Sequence, residues 1–459
     1  MATPRLIIPV EIKNREFDAK LLLALAAGRR GFRVVVGERY AVEHLAARLP
    51  QSLYLGKDIT QPVAALYRRL RAYGHRVVAL DEEALVYYTD QVYRQRRFHA
   101  DTCRQADLLF AWGLDNSELW RRMPDFPATP IATTGNPRFD LFREAFRPLY
   151  GPAVAELRQR FGDFWLINSN FGHVNSFRAD NVKMPDPDLV LKGEVAAPRS
   201  YDAGLARHRR ALYQRFRDMV RHIAQTFPHR TLVLRPHPSE DVASWRQWLA
   251  DCPNVHILYQ GIVAPWLLAS QLLIHNGCTT ALEAHCLGIP ALAYCPDRDS
   301  PFELKLPNRL SVGAPSLEAL TAALETATKA GPEALGAAED PQTTAERRAI
   351  LDRHLAARHG ALAAERIADQ LAALDPSSPP PLAQRWRARA KGLYVAVKKA
   401  RKRRWFEDPA RRTWRHHLFP PTPREEVVRR LAGLTEGLGA EVPHRLKTVG
   451  PSVFELIPA

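Results

Sequence analysis

The sequence predicts an α/β fold with two Rossmann-like domains in succession, followed by a basic C-terminal extension. Short apolar segments of strand composition alternate with stretches of helical periodicity, and the alternation occurs in two separate series. Strands that alternate with helices form parallel sheets. A chain of 459 residues is also too long for one hydrophobic core, and its 46% hydrophobic content is enough for two.

The first series of strands predicts a domain over residues 1–150. Its six strand candidates are short, apolar and bounded by polar residues: Leu6–Val10, Val34–Gly37, Ser52–Leu55, Arg76–Leu80, Leu108–Trp112 and Ile131–Thr134. Between the first two, Leu21–Ala27 is expected to belong to a short amphipathic helix, because it is too short to span a membrane. We expect the junction with the second domain near Pro148–Pro152.

The second series predicts a domain over residues 151–375. Its five strand candidates are Phe164–Ile167, Thr231–Leu234, Val255–Leu258, Leu272–Ile274 and Ala291–Tyr294. Residues 340–374 are rich in alanine, with charges at helical spacing. We expect them to form one long helix that closes the second domain or crosses back to the first.

Residues 376–459 are expected to form a separate extension. The proline-rich run Asp375–Pro381 has the composition of a linker. Residues 385–417 hold thirteen lysines and arginines against two acidic residues, a net charge of +11, out of +16 for the whole chain. Trp, Tyr and Phe are interleaved with these cations. This composition fits an anionic membrane surface, nucleic acid, or a solvated basic helix.

Two motifs in successive β-α segments predict a site for a phosphate and a nucleotide. Arg235 and His237 lie in an Arg-Pro-His-Pro run that ends one strand, where the prolines hold them on a rigid loop. The second motif follows the strand Leu272–Ile274. In it, Gly277 lets the backbone approach a ligand, and Thr279 and Thr280 begin a helix. Backbone N–H groups and the positive end of a helix attract phosphate. Without a ligand, the same motifs are typical of a strand exit and a capped tight turn.

Further polar residues stand close to these motifs in the sequence. Asn276 precedes Gly277, and Glu283, one turn into the helix, could bind ribose hydroxyls. Asn168 and Asn170 follow the first strand of the second domain and either hydrogen-bond the ligand or cap the next turn. Together with the two motifs, they form the predicted nucleotide site.

Carboxylates in the first domain are candidates for acid–base or nucleophilic chemistry. Glu11 follows the first strand directly, Glu16 and Asp18 come within the next turn, and Glu82 follows the strand that ends at Leu80. Any of them could act as general base or as nucleophile. Glu16 and Asp18 could instead complement the dipole of a helix, so Glu11 is the first choice.

The sequence predicts no metal site. Asp186 and Asp188 are separated by a proline, Asp297 and Asp299 by an arginine, and neither pair has the further oxygen ligands that a hard cation needs. The five cysteines show no Cys-x-x-Cys spacing. We therefore expect a metal-independent reaction with no cofactor, and neither a structural zinc nor disulfides.

Several runs together resemble the bacterial surface carbohydrate biosynthesis proteins. These are Pro9–Lys20, Asp81–Leu85, Gly135–Asp140, Asn168–Phe171 and the two motifs above, in this order over about residues 5–310. Ala84 stands where the family pattern has glycine. The resemblance implies a GT-B glycosyltransferase, with two facing Rossmann-like domains, that acts in capsule, lipopolysaccharide or O-antigen assembly.

The Arg-x-His-Pro element is similar to the His-Pro motif with which CMP-sugar-dependent transferases hold CMP. This similarity implies that a CMP-activated ulosonic acid, Kdo or a nonulosonic acid, is the donor substrate. A glycan or glycolipid would be the acceptor. The family context favours the membrane as the partner of residues 385–417, so we expect a cytoplasmic protein, peripheral on the inner membrane face, that does not bind nucleic acid. The alternatives are a UDP-sugar transferase or epimerase on the same fold, and a nucleic-acid-binding protein built around the basic extension.

Overall fold

The computed structural model of the protein divides the chain into two compact units. It describes the following residues: 3–178, 182–198, 201–337, 340–374, 379–406, 408–439 and 441–459. The first unit comprises Met1–Leu85, Asp90–Leu149 and Ile350–Ala459, and the second comprises Val86–Thr89 and Tyr150–Ala349. The passage from Leu149 to Tyr150 falls where the junction was predicted. Residues 350–459, however, belong with the first unit rather than with the second domain and a separate extension.

Fourteen strands form two sheets in the part of the chain that the structure describes. Eight belong to the first unit: β1 Arg5–Val10, β2 Arg33–Glu38, β3 Leu53–Gly56, β4 Arg76–Leu80, β5 Leu108–Ala111, β6 Ile131–Thr133, β13 His444–Gly450 and β14 Val453–Pro458. Six belong to the second: β7 Phe164–Asn168, β8 Thr231–Arg235, β9 Val255–Ile257, β10 Leu272–His275, β11 Ala291–Tyr294 and β12 Val312–Ala314. All eleven predicted strands are present, and the sequence analysis missed β12, β13 and β14.

The helices alternate with these strands. Those before β7 are α1 Lys13–Gly28, α2 Arg39–Ala46, α3 Ala64–Ala72, α4 Asp90–Arg96, α5 Ala100–Arg104, α6 Leu114–Arg122, α7 Pro137–Asp140 and α8 Gly151–Phe161, with short 3-10 helices at Gln61–Val63 and Glu144–Tyr150. From β7 to β12 follow α9 Pro187–Leu191, α10 Ala203–Thr226, α11 Val242–Trp248, α12 Val263–Ala269, α13 Thr280–Leu287 and α14 Lys305–Arg309. The remainder are α15 Leu317–Ala330, α16 Ala334–Ala337, α17 Pro341–His354, α18 Ala363–Ala372, α19 Leu382–Phe406, α20 Pro409–Leu418 and α21 Arg424–Gly437.

Each unit has a sheet whose parallel strands reverse their order once. The first sheet has the order β13-β14-β2-β1-β3-β4-β5-β6, in which β1 to β6 run parallel. The second has the order β12-β11-β10-β7-β8-β9 and is parallel throughout. The order reverses beside β1 in one sheet and beside β7 in the other. Both units are therefore Rossmann-like, and the predicted α/β fold class, with the two Rossmann-like units of a GT-B fold, is confirmed.

Helix α1 is buried on all its faces. Every residue from Ala19 to Ala27 is at most 3% exposed, so Leu21–Ala27 is not part of an amphipathic surface helix as predicted. The reason is that α18 and α21, both from the C-terminal part of the chain, pack against α1, while β1, β2 and β14 also contact it. A helix that is covered from both sides needs no polar face.

The last residues of the chain complete the first sheet, which corrects the expectation of a separate extension. Strand β14 pairs antiparallel with β2, and β13 pairs antiparallel with β14. The buried Glu455 carboxylate accepts hydrogen bonds from Arg5 and Arg33, each at 3.1 Å. A β-hairpin here covers the edge that β2 would otherwise expose. In the predicted linker, residues 375–378 lie outside the described residues.

Residues 340–374 form two helices instead of the single helix predicted, and they lead back to the first unit. Asp140 explains how α18 is placed, because its carboxylate accepts the N–H groups of Ala363 and Ala364 at 2.8 and 2.9 Å at the start of this helix. Gly135, with φ +87°, lies so close to Ala357 that a Cβ atom would be 2.9 Å from its methyl group. The run Gly135–Asp140 therefore serves to dock the returning chain.

Deleting residues 441–459 should destabilise the first unit. Val453, Phe454 and Leu456 are at most 3% exposed, and burying one such side chain contributes about 1.5–3 kcal/mol. We expect the truncated protein to unfold at least 10 °C below wild type in thermal scans followed by circular dichroism. Lys447→Ala, an exposed change on β13, is the control and should leave the melting temperature unaltered. Wild-type stability of the truncated chain would contradict the role given to the hairpin.

Candidate functional site

The predicted nucleotide-sugar residues of the second unit lie at the carboxyl ends of neighbouring strands. Strands β8, β7 and β10 are adjacent in the sheet and parallel, and the strand order reverses at β7. Their carboxyl ends carry Arg235, Asn168 and the turn after His275, respectively. Open parallel sheets bind ligands at this position, because the loops on either side of a reversal diverge.

Arg235 is a buried cation without a paired carboxylate. It is 6% exposed and takes part in no ion pair among the described residues, although the charge of the buried Glu283 acts on it. Nη2 donates to the carbonyl of Gly261 at 3.2 Å, whereas Nη1 has no hydrogen-bond partner in the described chain. The guanidinium carbon lies 4.9 Å from the ring centroid of Trp266. Burial lowers the pKa of Arg235 to about 10, so it remains charged at neutral pH.

His237 is oriented by its own loop. Its Nδ1 accepts the backbone N–H of Ser239 at 3.2 Å, so the proton of the neutral ring lies on Nε2, which is then a donor. The loop itself is held by Glu240, whose Oε1 accepts the N–H groups of His237 and Phe171 and the hydroxyl of Ser169. Glu240 thereby joins the loops that follow β7 and β8.

Asn168 and Asn170 join the loop after β7 to the turn after β10. Asn168 Nδ2 donates to Thr280 Oγ1 at 3.1 Å, and Asn170 Nδ2 donates to the carbonyl of Gly277 at 3.1 Å. Neither caps the turn that follows it through these bonds, which was the alternative raised for them. The buried Asn168 Oδ1 has no hydrogen-bond partner within the described ranges.

The turn before α13 differs from the prediction in one respect. Gly277 has the expected positive φ of +55°, but its N–H donates to Asn308 Oδ1 at 2.8 Å and so is not free to bind a phosphate. The N–H groups of Ala281 and Leu282 bond to the carbonyls of Cys278 and Thr279. The first N–H groups of the helix, those of Thr279 and Thr280, therefore form the part of this turn that is suited to an anion.

Two of the predicted residues are more deeply buried than a surface ligand site needs. Asn276 is 1% exposed, and its Nδ2 donates to the carbonyl of Tyr294 at 2.8 Å. Glu283 is 0% exposed, so its side chain lies inside the unit rather than on the surface where a ribose would bind. Its charge acts on Arg235 and raises the pKa of that residue against the effect of burial.

In the first unit, the candidate Glu11 stands at the carboxyl end of β1. Its carboxylate is paired with Lys57, which follows the adjacent strand β3, and with Arg39 at 3.4 Å. Although burial disfavours the charged form, these cations hold the pKa of Glu11 below its usual value. The ion pair thus lies where the strand order reverses, the equivalent of the position occupied by Asn168 in the second unit.

The other three carboxylates hold the structure together. Glu16 accepts the N–H groups of Glu11 and Ile12, at 3.0 and 3.4 Å, at the start of α1. Asp18 pairs with Arg430 of α21 at 2.6 Å. Glu82 pairs with the buried Lys20, and although burial opposes it, this cation lowers the pKa of Glu82. The contacts of Glu16 at the start of α1 fit the structural alternative stated for it, whereas Asp18 pairs with a cation of α21 instead of complementing the helix dipole.

Sequence reasoning missed Lys57, Arg39, Glu240 and Asn308. Lys57 directly follows a predicted strand, as Glu11 does, so its position was a usable signal. Glu240 stands three residues after His237, a spacing that fits a carboxylate closing its own loop. Arg39 and Asn308 lie in no recognisable motif, and only the packing of their elements brings them to the site.

The two aspartate pairs have other partners. Asp186 Oδ1 accepts the N–H of Asp188 at the start of α9, and Asp297 Oδ2 is 3.2 Å from His208 Nδ1. No group of three or more His, Cys, Asp or Glu side chains suited to a metal occurs in the described part of the chain. Metal independence stays a prediction.

The basic segment 385–417 is helical where it is described. Arg389 donates to the carbonyl of Tyr73 at 2.8 and 2.9 Å, which attaches α19 to the end of α3. Trp386 and Tyr394 of α19 are 69% and 68% exposed, and Leu382 is 65% exposed. The side chains of residues 399–400, 402–407 and 410–411 lie outside the described residues. None of the helices in the described ranges has the length and apolarity of a membrane span.

The fold is similar to solved enzymes at low sequence identity. A putative UDP-N-acetylglucosamine 2-epimerase from Listeria monocytogenes is 16% identical, with 80% of this chain and 95% of that chain covered and a TM-score of 0.47. The UDP-GlcNAc 2-epimerase from Neisseria meningitidis bound to UDP-GlcNAc is 13% identical, with 80% of this chain and 99% of that chain covered and a TM-score of 0.46. A wall teichoic acid polymerase with CDPG is 12% identical, with 80% of this chain and 87% of that chain covered and a TM-score of 0.48. No protein-family profile and no curated protein matches the chain. The likeness concerns the fold and assigns no activity.

Two buried histidines should make the stability of the protein depend on pH. His75 donates to the carbonyl of Ala46, His275 contacts Ser311, and burial lowers their pKa values to about 4 and about 3. The pKa of an unfolded histidine is about 6.5. Between pH 6.5 and 4 the unfolded chain therefore binds more protons, and the free energy of unfolding falls as the pH falls, by up to about 1.4 kcal/mol per pH unit for each histidine.

Urea unfolding of wild type and His75→Gln between pH 7 and 4 tests this dependence in the first unit. Burial raises the pKa of Asp140 to about 7, so Asp140 makes the free energy of unfolding rise as the pH falls, opposite to the histidines. Asp140 is present in both proteins, so the informative quantity is the difference between their free energies of unfolding at each pH. We expect this difference to shrink as the pH falls. His359→Gln, an exposed change in the same unit, should keep the wild-type slope. Equal slopes for all three proteins would contradict a buried neutral His75.

Proposed function

We propose that the protein is a glycosyltransferase of bacterial surface polysaccharide assembly that uses a CMP-activated ulosonic sugar, Kdo or a nonulosonic acid. The observation that supports the proposal most is Arg235, a buried guanidinium group with no paired carboxylate at the end of β8, the strand next to the reversal at β7. Burying an unpaired charge is costly, so such a group is maintained where it meets an anion. The phosphate of a nucleotide sugar is an anion that suits this position.

Further donors near Arg235 fit a phosphate ester. His237 lies on the loop after β8 with the proton of its neutral ring on Nε2, and the backbone N–H groups of Thr279 and Thr280 stand at the start of α13. CMP leaves as a phosphate monoester anion, so its departure needs charge neutralisation more than a proton. Preorganised donors of this kind lower a barrier by about 3 kcal/mol each. In this proposal they perform the task that a divalent cation performs elsewhere.

We assign the acceptor side of the reaction to the first unit, with Glu11 as the candidate group. Its side chain is 31% exposed, whereas Glu16, Asp18 and Glu82 are buried and committed to structural contacts. The pKa of Glu11 lies below its usual value, which makes it a weaker base and favours a role as nucleophile or as an anion that steadies positive charge. The alternative on the same fold, a UDP-sugar transferase or epimerase, uses the same phosphate donors and differs in the nucleotide released.

We also propose that α19 contacts the anionic inner face of the cytoplasmic membrane, where a glycolipid acceptor would reside. Leu382, Trp386 and Val397 lie on one exposed stripe of the helix, because their positions fall within about 60° around its axis. Exposed cations lie on one side of the stripe, about 100–180° from Leu382 around the helix axis: Arg387, Lys391, Lys398 and Arg401. Apolar groups beside lysine and arginine are typical of helices that lie in the headgroup layer.

Arg235→Ala should abolish nucleotide binding while the protein stays folded. The variant lacks the side chain proposed to bind the phosphate. It also lacks an unpaired buried charge, so its melting temperature should equal or exceed that of wild type. Isothermal titration calorimetry with CMP, CDP, UDP and GDP provides the measurement, and release of CMP or UDP from a sugar donor separates the main proposal from its alternative. The matched control is Arg246→Ala, an exposed arginine of α11. Unchanged nucleotide affinity in Arg235→Ala would contradict the assignment of Arg235 as a phosphate-binding residue.

Replacing Arg387, Lys391, Lys398 and Arg401 by glutamine should release the protein from anionic vesicles. Each cation near such a surface contributes about 1 kcal/mol, so the partition coefficient should fall by up to about a thousandfold, and salt should weaken the wild-type interaction. Sedimentation with phosphatidylglycerol vesicles gives the measurement.

The matched control for the vesicle experiment changes four exposed cations of the first unit outside α19: Arg424, Arg429, Arg445 and Lys447. The net charge of the two variants is then the same. Equal loss of binding would attribute the effect to total charge and contradict a surface on α19. Preference of wild type for RNA over vesicles would instead support the nucleic-acid alternative.

A further inference from the structure

A second polar cluster lies in the second unit, beside the residues proposed to bind phosphate. His208 stands near the start of α10, and Glu303 lies in the segment that follows β11. His208 Nε2 is 3.9 Å from Glu303 Oε1, which is too far for a hydrogen bond. Both atoms are buried, and neither has a partner with hydrogen-bond geometry within the described residues. Burial raises the pKa of the Glu303 carboxyl group, although the side chain of Asn276 is close enough to act against this rise. Unsatisfied buried polar atoms are costly, so two that face each other call for an explanation.

Each side chain of the pair is held at its other end. His208 Nδ1 is 3.2 Å from both Asp297 Oδ2 and Ser300 Oγ. Glu303 Oε2 accepts Asn308 Nδ2 at 3.0 Å. The side chain of Glu303 is 2% exposed and that of His208 is 7% exposed. These contacts fix the orientation of both side chains, so that His208 Nε2 and Glu303 Oε1 face each other.

Hydrogen bonds also connect the pair to the proposed phosphate site. Asn308 donates to Glu303 and accepts the N–H of Gly277, whose carbonyl accepts Asn170 Nδ2. Strand β11 lies next to β10 in the sheet, so the segment after β11 stands beside the turn after β10. A ligand whose phosphate lies at that turn would have its next group within reach of this segment.

We propose that His208 and Glu303 bind one hydroxyl group of the sugar nucleotide, from the ribose or from the transferred sugar, and so contribute to specificity. This inference rests on the proposed function. A hydroxyl both donates and accepts, so it matches the pair in either state: it accepts from Nε2–H and donates to Glu303, or it donates to Nε2 and accepts from a protonated Glu303. One oxygen about 2.8 Å from each atom would contact both.

The segment over the pair must move for a ligand to enter. Asp297 and Ser300 cover His208 from one side, and the ring of Phe302 lies 6.0 Å from the imidazole. Arg298 and Asp299 at the tip of the segment are exposed, with side chains 71% and 97% accessible. A short exposed segment can be displaced without disturbing the core of the unit.

Calorimetric titration of Glu303→Ala and His208→Ala tests the inference, with CMP, 2′-deoxy-CMP, a CMP-sugar and the matching uridine compounds as ligands. If the ribose supplies the hydroxyl, wild type prefers CMP to 2′-deoxy-CMP about tenfold, and both variants lose this preference. If the transferred sugar supplies it, the variants bind free nucleotides normally and the nucleotide sugar about tenfold more weakly. Glu303→Gln, which retains an oxygen, should restore part of the loss.

His222→Ala is the matched control, since this histidine also lies on α10 but bonds to Thr321. Should an alanine variant fail to fold, Glu303→Gln and His208→Asn take its place in the same titrations. Normal binding of every ligand by folded variants, with binding lost in Arg235→Ala, would overturn this inference alone. A wild-type protein that binds no nucleotide would overturn the proposed function and this inference with it.

Discussion

The single reversal of strand order in each parallel sheet is the constraint on which the two candidate sites depend. Beside β1 and beside β7 the loops on the two sides diverge, and polar side chains can stand there without being enclosed by the next crossover. Glu11 with Lys57 occupies this position in the first unit, and Asn168 with the turn at Gly277 occupies it in the second. The sheets differ in sequence but place their polar residues by the same rule.

Electrostatics distinguish the two positions. In the first unit every candidate carboxylate has a cation: Lys57 for Glu11 and Glu16, Lys20 for Glu82 and Arg430 for Asp18. In the second unit the cation Arg235 lacks such a partner among the described residues, and burial lowers its pKa. A site with balanced charges is stable by itself, whereas an unpaired buried cation is stabilised when an anion binds beside it. This asymmetry supports the proposal that the donor phosphate binds in the second unit.

The C-terminal part of the chain has a structural role as well as a possible surface role. Helix α21 covers α1, β14 closes the edge at β2, and Asp140 caps α18. The first unit therefore cannot be completed from the N-terminal residues alone. Among the described side chains of this C-terminal part, those of α19 combine exposed cations with exposed aromatic residues.

The sequence by itself determined the eleven parallel strands, the junction near residue 150 and the motif residues Arg235, His237 and Gly277, because these depend on local composition and on turn chemistry. It could not reveal that His444–Pro458 joins the first sheet, since strand pairing over more than 400 residues leaves no local signal. The tertiary structure alone decided that Glu283 is buried, that Asn308 occupies the N–H of Gly277, and that Glu16 and Asp18 serve α1 and α21. Those outcomes depend on which side chains meet after packing, and spacing along the chain does not encode such meetings.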